Sequence, residues 1–342
     1  MMLPSVNSSP AVSVVIATAF RTGPLICTLE HLSRQTRKPV QVVVADGAPA
    51  PGVESLVLEF AAKSSLPITY LRCVRVGAAA QRNEALEHVL GEVILFMDDD
   101  LYAEPECIEK MLSVFQLSGG DPRLSGVSWP IGGVGAILVN QHGHPPSRAF
   151  KRWLDFLADQ KCDSYAGKVI GPAVNLLPEL HSHEEIVPVE WLNSGCTAYR
   201  RETFLESRFG ERFEGYSFME DVDLSVRINK RWGLVVHTGA RAYHDSQPSR
   251  FKRPFLKARM AVVNRYHVMA RSLKRTSLRH HVKFLALQLM TMFFILRDSI
   301  RSRRISEAVF GIGGTLIGCV SIIPSVCIVV WSRLFRHDGT AT

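Results

Sequence analysis

The sequence predicts an α/β protein built on a mixed, mostly parallel sheet flanked by helices, with a C-terminal helical region that associates with a membrane. Three observations carry this expectation. Short apolar runs alternate with helical stretches through the first hundred residues, the pattern of βαβ units. Charge is divided along the chain: residues 241–342 hold 18 Lys/Arg against 4 Asp/Glu, so they carry +14 of a net +8 and leave −6 for the first 240. Within that basic part, 308–332 runs 25 residues without a charge.

The elements follow in order. Residues 1–10 show no structural pattern and are expected to be a disordered N-terminus. There is no basic residue before Arg21 and no long apolar core, so a secretory signal is not expected. Strands are expected at 13–17, 41–45, 69–73 and 93–97, with helices at 25–35, 54–64 and 78–90 between them. In such sheets ligands gather at the carboxyl ends of the strands. Thr18 and Arg21 follow the first strand, Asp46 the second, and Asp98, Asp99 and Asp100 the fourth.

Between 119 and 190 the pattern loosens. Gly132, Gly133, Gly135 and the His142–Pro146 stretch read as flexible connections around one helix at 150–159, since the glycines match no phosphate-loop spacing. His181 and His183 read as part of a polar loop, because no further ligand-spaced residues accompany them. A helix is expected at 220–232, closed by Gly233, then a strand at 234–237 and a loop carrying His244. Residues 255–275 form a basic amphipathic pattern, with Val262, Tyr266, Met269 and Leu273 at helical spacing.

The apolar run 284–296 is too short to cross a bilayer, whereas 308–332 is long enough. Gly311, Gly313, Gly314, Gly318 and Pro324 interrupt it, as membrane helices tolerate. Arg297, Arg301, Arg303 and Arg304 precede it and Arg333 and Arg336 follow, an asymmetry that places the amino-terminal body on the cytoplasmic face. Peripheral and single-pass association both remain open at this point. The expected division is 1–10, a catalytic-type body at 11–245, and a basic, apolar, membrane-associated region at 246–342.

Composition excludes some classes. With 46% hydrophobic residues the chain can bury a sizeable core and is not disordered. The acidic body argues against nucleic acid as a partner. Seven scattered cysteines with no C-x-x-C pair point away from a disulfide framework or zinc ribbon, and towards a reducing compartment.

Two acidic clusters carry the chemistry. Asp98, Asp99 and Asp100 end a hydrophobic strand, and adjacent carboxylates repel unless a cation or hydrogen-bond donors compensate them. In an extended segment Asp98 and Asp100 share one side and Asp99 takes the other. The triplet reads either as ligands for a hard divalent cation such as Mg²⁺ or Mn²⁺, or as a solvated turn that caps the next helix. Glu220, Asp221 and Asp223 open a helix, where acids also complement the dipole, and Arg227 is placed to pair with one of them.

Six pieces occur in order: VSVVIATAFR (12–21), VVVADGAP (42–49), GAAAQRNEAL (77–86), ILFMDDDLYAEPECI (94–108), FMEDVDLSVRINKRWG (218–233) and HTGARAYH (237–244). Over roughly 11–245 the chain resembles the family-two glycosyltransferases with the GT-A fold. The resemblance implies an inverting, nucleotide-sugar-dependent enzyme. It implies that Asp46 contacts the nucleotide base, with Thr18 beside it, and that Arg82 lies near the diphosphate. Asp98 and Asp100 match the D-x-D pair that holds metal and ribose, with Asp99 able to share that work. Asp221 matches the catalytic base of a Glu-Asp motif that includes Glu220, and His244 matches a metal or phosphate contact. Ala45 and Ala48 depart from the family pattern around Asp46, which leaves the nucleotide open.

The resulting expectation is an enzyme that moves a sugar from a UDP-, GDP- or dTDP-sugar to a hydroxyl of a glycan or glycolipid acceptor. The acceptor would be a lipid-linked or surface-polysaccharide precursor, at the cytoplasmic membrane face, with membrane lipid bound by the C-terminal region. Acceptor specificity is expected in 119–191 and around Asn193 and Gly195. The alternatives are transfer to a polyprenyl phosphate, nucleotidyl transfer, and a non-catalytic membrane-tethered nucleotide-sugar binder.

Overall fold

A computed structural model describes residues 9–48, 52–141, 147–179, 184–213, 217–245 and 253–334. The expectations for residues 1–8, the His142–Pro146 stretch, His181, His183 and Arg336 lie outside them. The first βαβ units are β1 (Val12–Thr18), α1 (Thr22–Ser33), β2 (Gln41–Asp46), α2 (Val53–Lys63), β3 (Ile68–Arg72), α3 (Ala78–Ala85) and β4 (Val93–Asp98). Each strand lies within two residues of its expected position. Their side chains are mostly apolar, many of them β-branched, and those of β1, β2 and β4 are almost wholly buried, as strands covered on both faces must be. The helix expected to reach residue 90 stops at Ala85 and continues as a single 3₁₀ turn, Leu86–His88.

Next come β5 (Leu101–Ala103), α4 (Cys107–Val114), β6 (Ile131–Leu138), α5 (Arg148–Ala158), β7 (Val169–Ile170), β8 (Val174–Asn175), β9 (Ile186–Pro188) and β10 (Cys196–Arg200). The body closes with α6 (Glu220–Ile228) and β11 (Gly233–His244). The main sheet runs β3-β2-β1-β4-β10-β6-β11-β5, with β9 on β11. The β3-β2-β1-β4 pairings and β6 with β11 are parallel, whereas β10 runs antiparallel to both its neighbours.

Two sequence expectations are corrected. Gly132, Gly133 and Gly135 are not turns but part of the buried strand β6. A Cβ on Gly132 would meet Trp232 Cβ at 2.4 Å, and one on Gly133 would meet the Leu192 side chain at 2.8 Å. Close packing across the sheet, not chain flexibility, requires glycine there. His244 is not in a loop but is the last residue of β11. That strand shifts register between His237 and Arg241, an irregularity that bends it. Its far end then pairs with β5, setting His244 opposite Leu101, next to the Asp98–Asp100 turn.

The chain divides into two compact units. One comprises residues 1–148, 163–169 and 175–249, and the other residues 149–162, 170–174 and 250–342. The second unit gathers most of α5 with α7 (Pro254–His267), α8 (Leu278–Arg301) and α9 (Ile305–Leu334). A π-turn, Val268–Ser272, ends α7 where a longer helix was expected. The buried Lys283 ammonium pairs with Asp159 and donates to the Leu157 carbonyl at 3.1 Å, fixing α8 against α5. Small residues let α9 approach α7 closely: Gly314 lies against the Phe255 backbone and Gly318 against Val262. Among the described residues, α9 is the one helix long and apolar enough to cross a membrane, over Ile305–Cys327.

Candidate active site

The site lies at the carboxyl end of the parallel strands, within the first unit. β1 and β4 are paired neighbours, so Thr18 and the Asp98–Asp100 turn emerge side by side. Thr18 Oγ1 donates to Asp99 Oδ2 at 2.6 Å. The Arg21 guanidinium, at the start of α1, bridges Asp99 and Asp100. Asp99 is fully buried in the turn that follows β4. Burial pushes its pKa up to about 7 despite the Arg21 charge and the Thr18 hydrogen bond, which both favour the anion. Its contacts with Thr18 and Arg21 brace the turn.

Asp98 and Asp100 converge with His244. One donor atom from each of the three lies within 4.8 Å of the others. His244 Nε2 is 3.1 Å from Asp100 Oδ1, and the Gln141 side chain contacts its Nδ1. Hydrogen bonding to Asp100 raises the His244 pKa above its ordinary value. Two carboxylates and an imidazole form a donor set suited to Mg²⁺ or Mn²⁺, so the residues present fit a divalent cation.

Arg82 joins this cluster to the second acidic motif. From α3 its guanidinium donates to Asp98 Oδ1 at 2.8 Å and to Glu220 Oε1 at 3.1 Å, stacked over the Phe209 ring at 5.3 Å. Ser194 Oγ adds a hydrogen bond to the same Glu220 oxygen at 3.3 Å. Arg82 was expected beside a diphosphate; here it is almost wholly buried between two carboxylates. Met219, with φ of 76°, turns the chain so that Glu220 and Asp221 open α6. Asp221 Oδ1 accepts from the Val222 amide at 2.7 Å. Burial raises the pKa of both Glu220 and Asp221; the Asp221 charge adds to the rise at Glu220, whereas the Val222 amide and the Arg82 charge offset part of it at Asp221. Asp223 points elsewhere and pairs with Arg227 at 2.8 Å.

Asp46 ends β2 opposite Thr18 in register, but it is fully buried. Its oxygens accept from the Ala48 amide at 2.8 Å and the Tyr70 hydroxyl at 2.7 Å, with Arg72 at 3.2 Å. Asp46 thus organises the turn that follows β2.

Several residues escaped the sequence reading. Gln81 donates to the Thr18 and Ala45 carbonyls at 2.8 and 2.7 Å, tying β1 to β2 where they end. Asn83 holds the Phe209 backbone through both its amide groups. Both sit on the buried face of a short helix that looks polar, which is the signal that could have found them. Beside the cluster, Gln141, Leu177, Pro178, Trp191 and Asn193 line a small cleft. Asn193 Oδ1 accepts from the Gly195 amide, and the Gly195 carbonyl accepts from the Asp98 amide.

Comparison with known proteins agrees with this arrangement. Residues 13–121, which hold Thr18, Asp46, Arg82 and the aspartate triplet, match the sequence profile of glycosyl transferase family 2. The chain is 35% identical over 101 residues to the uncharacterized glycosyltransferase YwdF of Bacillus subtilis (strain 168), covering 29% of this chain and 36% of that protein. An uncharacterized glycosyltransferase of Haemophilus influenzae is 31% identical over 105 residues, 30% of this chain and 34% of that one. The matches thus span about a third of the length of these curated relatives.

Solved structures extend the likeness of fold. The mannosyltransferase PcManGT from Pyrobaculum calidifontis, in complex with GDP-Man and Mn²⁺, aligns with 93% of this chain and 89% of its own at 15% identity and a TM-score of 0.50. GalNAc-T7 with UDP, GalNAc and Mn²⁺ aligns with 79% of this chain and 52% of its own, at 14% identity and a TM-score of 0.50. The sheet with its flanking helices is a GT-A fold.

Proposed function

We propose that this protein is a divalent-metal-dependent, inverting glycosyltransferase that uses a nucleotide sugar. The observation that carries the reading is the chain of contacts from the Asp98–Asp100–His244 cluster through Arg82 to Glu220, beside Asp221. Asp98, Asp100 and His244 would hold Mg²⁺ or Mn²⁺, which when bound supplies positive charge for a departing nucleoside diphosphate. The Mn²⁺ named with both solved structures above, and the GDP-Man of one and the UDP of the other, support that choice. Asp221 takes the proton of the attacking acceptor hydroxyl. Its raised pKa still leaves it a base at neutral pH, and makes it a stronger one than an ordinary carboxylate. Glu220, held by Arg82 and Ser194, fixes the start of α6 and so the position of Asp221. One base and direct displacement invert the anomeric centre.

The acceptor is a lipid-linked or surface-polysaccharide precursor, entering by the cleft lined by Gln141, Trp191 and Asn193. The basic second unit with its apolar α9 supports contact with membrane lipid and a place on the cytoplasmic face. The test is a panel of UDP-, GDP- and dTDP-sugars incubated with the full chain, Mn²⁺ and membrane extract. Release of nucleoside diphosphate with a glycosylated product from one donor is expected, and silence from every donor would overturn the reading.

A further inference from the structure

We propose that α8 lies in the plane of an anionic bilayer surface and forms a lipid contact separate from α9. This deepens the membrane reading above and rests on it. Leu278, Val282, Leu285, Leu289, Phe293, Leu296 and Ile300 are each between 45% and 81% exposed. Their spacing is 4, 3, 4, 4, 3, 4, an eleven-residue pattern repeated once. At 100° per residue the pattern drifts by only about 20° per repeat, so the stripe keeps to an arc of about 80° along the whole helix.

The other side of α8 is anchored inside its own unit. Phe284 packs edge-on to Tyr266 at 5.5 Å, and Lys283 is held by Asp159 and the Leu157 carbonyl. The stripe is thereby turned outward.

Charge identifies the occupant. From Phe284 to Leu296 the helix has no ionisable side chain at all. Its cations stand at the two ends. Arg279 lies at one, exposed beside Asp159, while the buried Lys283 is taken up by that same carboxylate. Arg297, Arg301, Arg303 and Arg304 lie at the other, where Asp298 pairs with Arg297 and Glu307 with Arg304, so the surplus of cations is at this end. An apolar centre with a basic C-terminal end matches the boundary between acyl chains and anionic headgroups. The stripe continues into α9 across the short 302–304 turn, where Ile305, Val309, Phe310 and Leu316 are also exposed. At thirteen uncharged residues the run is too short to span, so the helix lies flat.

The experiment is flotation of the full chain with vesicles of phosphatidylcholine alone or with about one third phosphatidylglycerol. The doubly substituted Leu289→Glu, Phe293→Glu protein changes only exposed side chains and should keep the parent's circular dichroism and melting. The expected result is roughly a tenfold loss of binding to the anionic vesicles. In parallel, the Phe293→Trp protein should show added tryptophan emission quenched by brominated lipid. Parent binding with an unchanged double variant and no quenching overturns the role of α8 while leaving the membrane reading intact. Loss of self-association in the variant with unchanged vesicle binding also overturns it, by assigning the stripe to a second copy. A parent that binds neither vesicle overturns both.

Discussion

The Arg82 guanidinium meets Glu220 Oε1 at 3.1 Å, joining residues 138 positions apart and linking the aspartate turn to the motif that carries the base. Arg82→Ala would leave Glu220 buried without its cation. Breaking such a pair costs about 3–5 kcal/mol. For a domain of this size that lowers the melting temperature by roughly 6 °C or more. The double variant Arg82→Met, Glu220→Gln should recover much of the loss, because no uncompensated charge stays buried. Thermal melts of the three proteins check this, and an Arg82→Ala protein as stable as the parent would refute the pairing.

Asp221→Asn removes the base and leaves the donor site whole. Turnover should fall by roughly 10²–10⁴-fold, with nucleotide affinity unchanged. The pH profile supplies a second readout. Burial raises the Asp221 pKa, so the base becomes protonated at a higher pH than an ordinary aspartate would. The rate should therefore fall with decreasing pH through a midpoint above the ordinary value of about 4. A flat profile from pH 5 to neutrality, about the range in which a raised carboxylate titrates, would count against Asp221.

Arg21 is the cation that the bare acidic turn relies on, through Asp99 and Asp100. In the Arg21→Ala protein the three carboxylates repel one another more strongly. Added Mn²⁺ should then raise its melting temperature by more than it raises the parent's. Equal shifts in both proteins would show that Arg21 does not stabilise the turn.

Gly133→Ala tests the reading of β6. The new methyl would meet Leu192, Leu234 and Tyr199 side-chain atoms at 2.8–2.9 Å. Overpacking of this kind costs about 1–3 kcal/mol. Chemical denaturation should show a lower midpoint with an unchanged slope.

The parallel half of the sheet was legible in the sequence because β1, β2 and β4 are buried on both faces and so read as continuous apolar runs. Strand β6 was not, since Gly132, Gly133 and Gly135 mimic a turn and their reason lies in Leu192 and Trp232, far along the chain. In the site, Asp98, Asp100 and His244 were named together and do converge. Their convergence depends on the bend in β11, which no local pattern announces. The burial of Asp46 against Tyr70 and Arg72, and of Arg82 between Asp98 and Glu220, depends on partners that only the folded chain assembles.

The central claim is that Asp98, Asp100 and His244 form one divalent-cation site that serves nucleotide-sugar chemistry. Calorimetric titration of Mn²⁺ into the full chain, with nucleoside diphosphate present, tests it most directly. The account predicts a single site whose affinity drops at least about tenfold in Asp100→Asn and in His244→Ala, as loss of one ligand requires. Mn²⁺ binding that is the same in the parent and both variants would contradict it.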